Sequence, residues 1–167
     1  MNDSAQIEVK PLLEVMQAEL LEYLDRNPLM IGIHTGGVWL AERLHQQLNL
    51  PEALGTIDIS FYRDDFSRIG INPLVKTSHL PVNIENRNII LVDDVLHTGR
   101  TIRAALNEIF DYGRPDSVRL AVLIERSGRE LPIQPDIIGK HLVLNQQQHV
   151  KLENTTELNL KIYQEKN

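Results

Sequence analysis

A mostly parallel β-sheet with helices on both faces is the fold class that this sequence predicts. Short apolar runs of strand character alternate with amphipathic helical patterns, and three of those runs end in polar, small-residue loops. One run, Ser117 to Ile124, is apolar at successive rather than alternate positions, as a strand covered on both sides must be.

The 167 residues fit one domain, 1–167, which at that size hides roughly 70% of the surface its unfolded chain exposes. No staple is required. The chain has no cysteine, which excludes disulfides, thiolate catalysis and zinc–thiolate sites and fits a reducing cytoplasm, the expected location. The first 30 residues are interrupted by Asp3, Glu8, Glu14, Glu19, Glu22 and Asp25, unlike a secretory signal. No stretch approaches the roughly 20 apolar residues of a membrane span, so no membrane partner is expected.

Taken in order, Pro11 opens a pattern with Leu13, Met16, Leu20 and Leu24 on one face, a helix ending near Asn27-Pro28 with an acidic opposite face. Leu29 to Ile33 is a short buried strand, His34 to Gly37 a loop, and Val38 to Leu48 a helix with Leu40, Ala41, Leu44 and Leu48 inward. Thr56 to Tyr62 alternates apolar and polar residues, as a strand with one wetter face does. Arg63 to Arg87 loses all periodicity, and a loop this long inside a compact domain reads as a functional lid or arm. Ile89 to Val92 is a strand delivering Asp93 and Asp94, and a Thr-Gly turn leads into a helix that stops at Gly113. After Ser117 to Ile124 comes a polar loop, then a short strand from Ile137 towards Leu144, and a last one marked by Leu158, Leu160 and Ile162. Ligands of such sheets bind at the carboxyl ends of the strands, where the loops after Ile33, Val92 and Ile124 gather.

The chemistry concentrates in Asp93 to Thr101. A turn containing Gly99 can aim backbone N–H groups inward while the helix adds its positive end and Thr98 and Thr101 add hydroxyls, which makes a phosphate cradle. It lacks the Lys-Ser/Thr ending of a nucleotide P-loop, and the chain has neither GxxxxGK nor GxGxxG. Asp93 and Asp94 repel phosphate. They suit sugar hydroxyls and a developing oxocarbenium ion. Thr35-Gly36-Gly37 is a second anion cradle, and two cradles flanking one acidic pair point to a substrate with two separated phosphate groups. Six histidines show no paired metal-ligand spacing, so no protein metal site is expected.

Val92-Asp93-Asp94-Val95-Leu96-His97-Thr98-Gly99-Arg100-Thr101 resembles the 5-phosphoribosyl 1-pyrophosphate (PRPP) signature of the type I phosphoribosyltransferases. Ile59 to Asp65, Asp111 to Pro115 and Arg129 to Ile133 resemble the bifunctional PyrR group, uracil phosphoribosyltransferases that also regulate pyrimidine operons by binding RNA. The resemblance implies the type I fold with a small hood and conversion of uracil and PRPP to UMP and pyrophosphate. It assigns Asp93 and Asp94 to the ribose hydroxyls, and His97, Thr98, Gly99, Arg100 and Thr101 to the 5'-phosphate loop. Thr35, Gly36 and Gly37 fall to the pyrophosphate, with a non-proline cis peptide beside Thr35. Arg63 and the lid after it would cover the pyrophosphate, and Ile137 and Ile138 would pack the base. Magnesium would bind mainly through PRPP and pyrophosphate oxygens. A homo-oligomer, dimer or larger, is also implied.

Three departures from the group matter. His97 stands where PyrR relatives usually have tyrosine and purine enzymes aspartate, which argues against a purine base. Ile137 replaces a common aromatic. Gly36 and Gly128 replace an arginine and a histidine usual in RNA-binding members, and the first helix is acidic. With a formal charge of −6 from 17 Lys+Arg against 23 Asp+Glu, RNA is disfavoured as a partner. The alternatives are an RNA-binding attenuation regulator with vestigial catalysis and a purine phosphoribosyltransferase.

Overall fold

The computed structural model describes residues 5–60 and 78–165. The order of elements is β1 (Ala5–Glu8), α1 (Val9–Leu20), a 3-10 helix (Leu21–Arg26), β2 (Leu29–Ile33), α2 (Gly36–Gln47), β3 (Gly55–Ile57), β4 (Asn88–Leu96), α3 (Arg100–Tyr112), β5 (Ser117–Arg126), β6 (Ile137–Leu142), β7 (Gln148–Asn154) and β8 (Leu158–Gln164). β3-β2-β4-β5-β6 form a five-stranded sheet whose every pairing is parallel. β1-β8-β7 form a separate antiparallel sheet of three strands.

Alternation along β4 divides the core between two faces. Ile90 and Val92 join Met30, Leu123 and Ile137 against α1 (Val9, Leu13, Met16, Leu20) and α2 (Leu40, Ala41, Leu44). Ile89 and Leu91 join Leu29, Ile31 and Val122 against α3 (Ile102, Ala105, Ile109). Helices therefore cover both faces, as the doubly apolar strands require. The antiparallel sheet contributes Leu152, Leu158 and Leu160 to the first core, so it is a hood fastened by apolar burial rather than a free flap.

Several expected boundaries shift. α1 begins at Val9, two residues before Pro11, which sits in the first turn where its missing N–H is harmless. The helix tightens to 3-10 geometry after Leu20 and ends at Asn27, which adopts a left-handed φ of 46°. β3 ends at Ile57, where Asp58 turns back to accept the N–H of Ser60 at 2.9 Å; Phe61 and Tyr62 of the expected strand lie outside the described residues. β1 and β7 have no counterpart in the sequence reading. Both are short hood strands with mixed burial, and only their antiparallel partner β8 carries clear alternation.

Candidate functional site

β4 continues to Leu96, so Asp93 and Asp94 lie within the strand rather than after it. Asp93 is 5% exposed and Asp94 is half-buried. Each carboxylate is held by the main chain beside it: Asp93 Oδ1 accepts the N–H of Asp94 and Asp94 Oδ1 accepts the N–H of Val95, both at 2.9 Å. Carboxylates fixed this way need no reorganisation when positive charge develops nearby.

Across from them is the turn between β2 and α2. The His34–Thr35 peptide is cis, the His34 N–H donates to the Ile57 carbonyl at 3.0 Å, and α2 begins at Gly36. The two glycines are there for contact. A β-carbon on Gly36 would overlap the Asp94 carboxylate, 2.6 Å from its carboxyl carbon, and one on Gly37 would stand 2.5 Å from the Val92 carbonyl oxygen and 3.0 Å from Asp93 Cα. The turn and the acid pair are thus one packed unit, with the N-terminal amides of α2 beside the Asp94 carboxylate.

His97, Thr98 and Gly99 form the bend from β4 into α3, and Gly99, at φ 95°, occupies the left-handed region that glycine tolerates. The Thr98 hydroxyl accepts the Arg100 N–H at 3.2 Å. The Thr98 carbonyl accepts two N–H groups, from Glu130 at 3.0 Å and Leu131 at 3.1 Å, both in the loop between β5 and β6. In a trans peptide the next N–H points the opposite way, so this clamp turns the Gly99 amide away from that loop. Arg100 is drawn to Glu130, Nε to Oε2 at 3.0 Å. Thr101 is half-buried in the first turn of α3.

His97 rests on Gly128. Gly128 has φ 113°, and a β-carbon there would lie 2.7 Å from His97 Nε2. Burial holds the His97 pKa below the ordinary histidine value; nearby Arg126 lowers it further, Glu130 opposes, and His149 adds to the lowering. The lowering favours the neutral ring, which can both donate and accept. Arg126, the last residue of β5, is 7% exposed and has its own pKa lowered by burial.

Two expected base-packing residues do not join this group. Ile137, 1% exposed, lies in the core beneath the hood and Ile138 packs into the opposite core. They pair with Ala121 and Val122, well before the end of β5. Arg63 and the first part of the expected lid fall outside the described residues. The rest of that segment, 78–87, is fastened to the sheet edge instead of free to close: His79 bridges Thr56, Ser78 Oγ accepts the Asp58 N–H at 2.9 Å, and Ile84 is in the core.

Sequence reading brought the loop after Ile124 to this end of the sheet but did not anticipate the packing of Gly128 on His97, the burial of Arg126 or the clamp by Glu130 and Leu131. The available signal was an arginine closing an otherwise apolar strand, followed at once by a small-residue loop. No described helix is long and apolar enough to cross a membrane.

The phosphoribosyl transferase domain family matches residues 4–153. The bifunctional protein PyrR of Nitrosococcus oceani is 60% identical over 141 residues, 83% of this chain and 80% of its own. That of Pseudomonas paraeruginosa is 54% identical over 137 residues, covering 82% and 81%. A solved hypoxanthine-guanine phosphoribosyltransferase from Bacillus anthracis superposes with a TM-score of 0.63 over 81% of this chain and 82% of its own, at 20% identity.

Proposed function

The chain belongs to the phosphoribosyl transferase domain family and, within it, to the bifunctional PyrR proteins; from that membership we propose the reaction, transfer of the phosphoribosyl group of PRPP to uracil, giving UMP and pyrophosphate. One observation supports it above the rest: an acidic pair fixed at the end of β4 lies between two main-chain cradles, one packed on Asp94 through Gly36 and one following on the same strand. Asp93 and Asp94 hold the ribose hydroxyls and stabilise positive charge at C1' as pyrophosphate leaves. Thr35, Gly36 and Gly37 receive the pyrophosphate, and His97, Thr98, Gly99, Arg100 and Thr101 receive the 5'-phosphate. Arg63 serves as the covering cation, and the whole of 1–167 acts as one domain.

The donor set fits magnesium carried by the substrate. No cluster of three or more acidic or histidine ligands exists among the described residues, and magnesium retains water and binds through one or two carboxylates plus phosphate oxygens. Bound there, it would supply Lewis-acid neutralisation of the leaving pyrophosphate.

The hypoxanthine-guanine enzyme shares the fold, but His97 replaces the aspartate expected for a purine site. The relatives' name, bifunctional, supports a second role in regulating pyrimidine genes. Exposed Glu14, Glu19 and Glu22 on the α1 side disfavour RNA phosphates there. Assembly as a dimer or larger homo-oligomer is part of the same reading. The deciding experiment is PRPP- and magnesium-dependent turnover across a panel of bases: uracil turnover is expected, and purine turnover without it overturns the reading.

A further inference from the structure

The loop from His97 to Thr101 is gripped by a segment that has little to hold itself. Between β5 and β6, residues 127–136 form neither helix nor strand, and Ser127 to Glu130 are exposed. This segment supplies the Glu130 and Leu131 amides on the Thr98 carbonyl and the Gly128 surface under His97. Each residue fixed in one backbone conformation gives up roughly 1–2 kcal/mol of entropy, and here no ladder within the segment repays it. Its shape is set from outside.

Two anchors set it. At the far end Asp136 is tied to β5: its N–H donates to the Leu120 carbonyl and its Oδ2 accepts the Leu120 N–H, both at 2.8 Å. At the near end the anchor is Ser127, and it reaches the hood. Its N–H donates to the Leu142 carbonyl at 3.0 Å, where β6 ends. Its hydroxyl donates to the Leu144 carbonyl at 3.0 Å and accepts the Leu144 N–H at 3.1 Å. One side chain thereby serves Leu144 as donor and acceptor together, as a neighbouring strand would, after β5 and β6 have both stopped. Arg126 Nη2 adds a bond to the Asn145 carbonyl at 3.3 Å. The 143–147 turn is itself tied: Asn145 Oδ1 accepts the N–H groups of Gln147 and Gln148, and Gln148 Oε1 accepts the Asn145 N–H. Gln148 opens β7, whose Leu152 lies in the core. A continuous path therefore runs from the buried side of the hood through Ser127 to Thr98.

We propose that Ser127 is a positioning residue for phosphate binding: it holds the 127–131 segment against the hood, and that segment holds the amides of the 97–101 loop in the orientation that receives an anion. The inference rests on the transferase reading, which gives this loop the 5'-phosphate. PRPP and UMP both carry that phosphate, whereas uracil and pyrophosphate occupy other parts of the site. A contact remote from the breaking bond, equally strong in the ground and transition states, governs KM and leaves kcat unchanged.

The test compares Ser127→Ala and Ser127→Thr with the unsubstituted full chain, forward with uracil, PRPP and magnesium and in reverse with UMP and pyrophosphate. Ser127→Ala is expected to raise KM for PRPP and for UMP about fivefold, within the worth of two net hydrogen bonds. Its kcat, and KM for uracil and for pyrophosphate, should stay within about twofold. Ser127→Thr keeps a hydroxyl and is expected to restore most of the loss. A serine that only stiffens the fold would lower the melting temperature while leaving every KM unchanged or raising all of them alike, and either result overturns the inference. If Ser127→Ala does not fold, amide hydrogen exchange in the unsubstituted protein decides. Ribose 5-phosphate is expected to slow exchange at Leu144 as well as at Glu130 and Leu131, and inorganic pyrophosphate is not, since a ligand and the contact it depends on stabilise each other. Exchange at Leu144 that ignores ribose 5-phosphate overturns the proposal. Absence of turnover with every base in the unsubstituted protein overturns the transferase reading itself, a different outcome from turnover whose KM values are indifferent to Ser127.

Discussion

Gly36→Ala separates catalysis from stability with a single methyl group. The new β-carbon would overlap the half-buried Asp94 carboxylate, a side-chain end that can rotate away. Rotation gives up the bond from the Val95 N–H, 2.9 Å in length, worth about 0.5–1.5 kcal/mol. Replacing glycine by alanine within a helix returns up to about 1 kcal/mol. The net change in stability is within about 1 kcal/mol, a shift of roughly 2–4 °C in Tm for a chain of this size. The rate behaves differently. If Asp94 stabilises the sugar cation, moving it forfeits a preorganised electrostatic contact worth about 10²–10³ in kcat, or about 2.7–4 kcal/mol. Uracil-dependent pyrophosphate release beside a thermal melt reads both quantities. The double variant Gly36→Ala/Asp94→Asn should be no slower than the worse single variant, because both act on one group. A kcat within threefold of the unsubstituted protein, with the melt unchanged, refutes the coupling of the turn to Asp94.

Gly37→Ala, one residue away, meets backbone rather than a side chain, 2.5 Å from the Val92 carbonyl; it is expected to cost roughly 3 kcal/mol or more, seen as a large fall in Tm. Asp94→Asn keeps an oxygen for the Val95 N–H, so the melt should move by less than about 1 kcal/mol while kcat falls about 10²-fold. The His97 imidazole, followed by NMR, should titrate below its unfolded value near 6.5. Since the unfolded chain then binds the proton more readily, His97 stabilises the fold at neutral pH, and this contribution is lost as pH falls from about 6.5 through the folded pKa. Arg126→Gln should move that titration upward. Ile137→Val should cost about 0.5–1.5 kcal/mol and leave KM for uracil unchanged, as expected of a core residue. Unchanged stability with a raised KM would restore it to the base site.

Most of the sheet was readable because its strands are buried on both faces. Leu29 to Ile33 and Ser117 to Ile124 are runs that only a covered parallel strand accommodates, and both appear with nearly the expected bounds. The hood was half legible. β8 alternates visibly, whereas β1 and β7 acquire strand structure from pairing with it, and long-range pairing leaves little local trace. The site follows the same division. Contiguous parts, the acids and the loop after them, carry a local signature. The contacts joining them, Gly36 on Asp94 and His97 on Gly128, unite residues far apart in the chain. Ile137 reads two ways: a resemblance aligns it with a base-packing stretch, and its register with Ala121 buries it.

The clamp on the Thr98 carbonyl bears on protein engineering. Glu130 and Leu131, which grip it, come from a loop beyond the next strand, and Leu131 and Ile133 also press on Gly99, at 3.3 and 3.4 Å from a β-carbon built there. The contiguous signature is therefore not a portable module. Grafted onto another strand and helix without the 127–133 segment, it would retain every residue of the motif and lose the brace that orients its amides. A working transplant must carry both loops, and a chimaera exchanging only one should retain its fold with a weakened grip on phosphate.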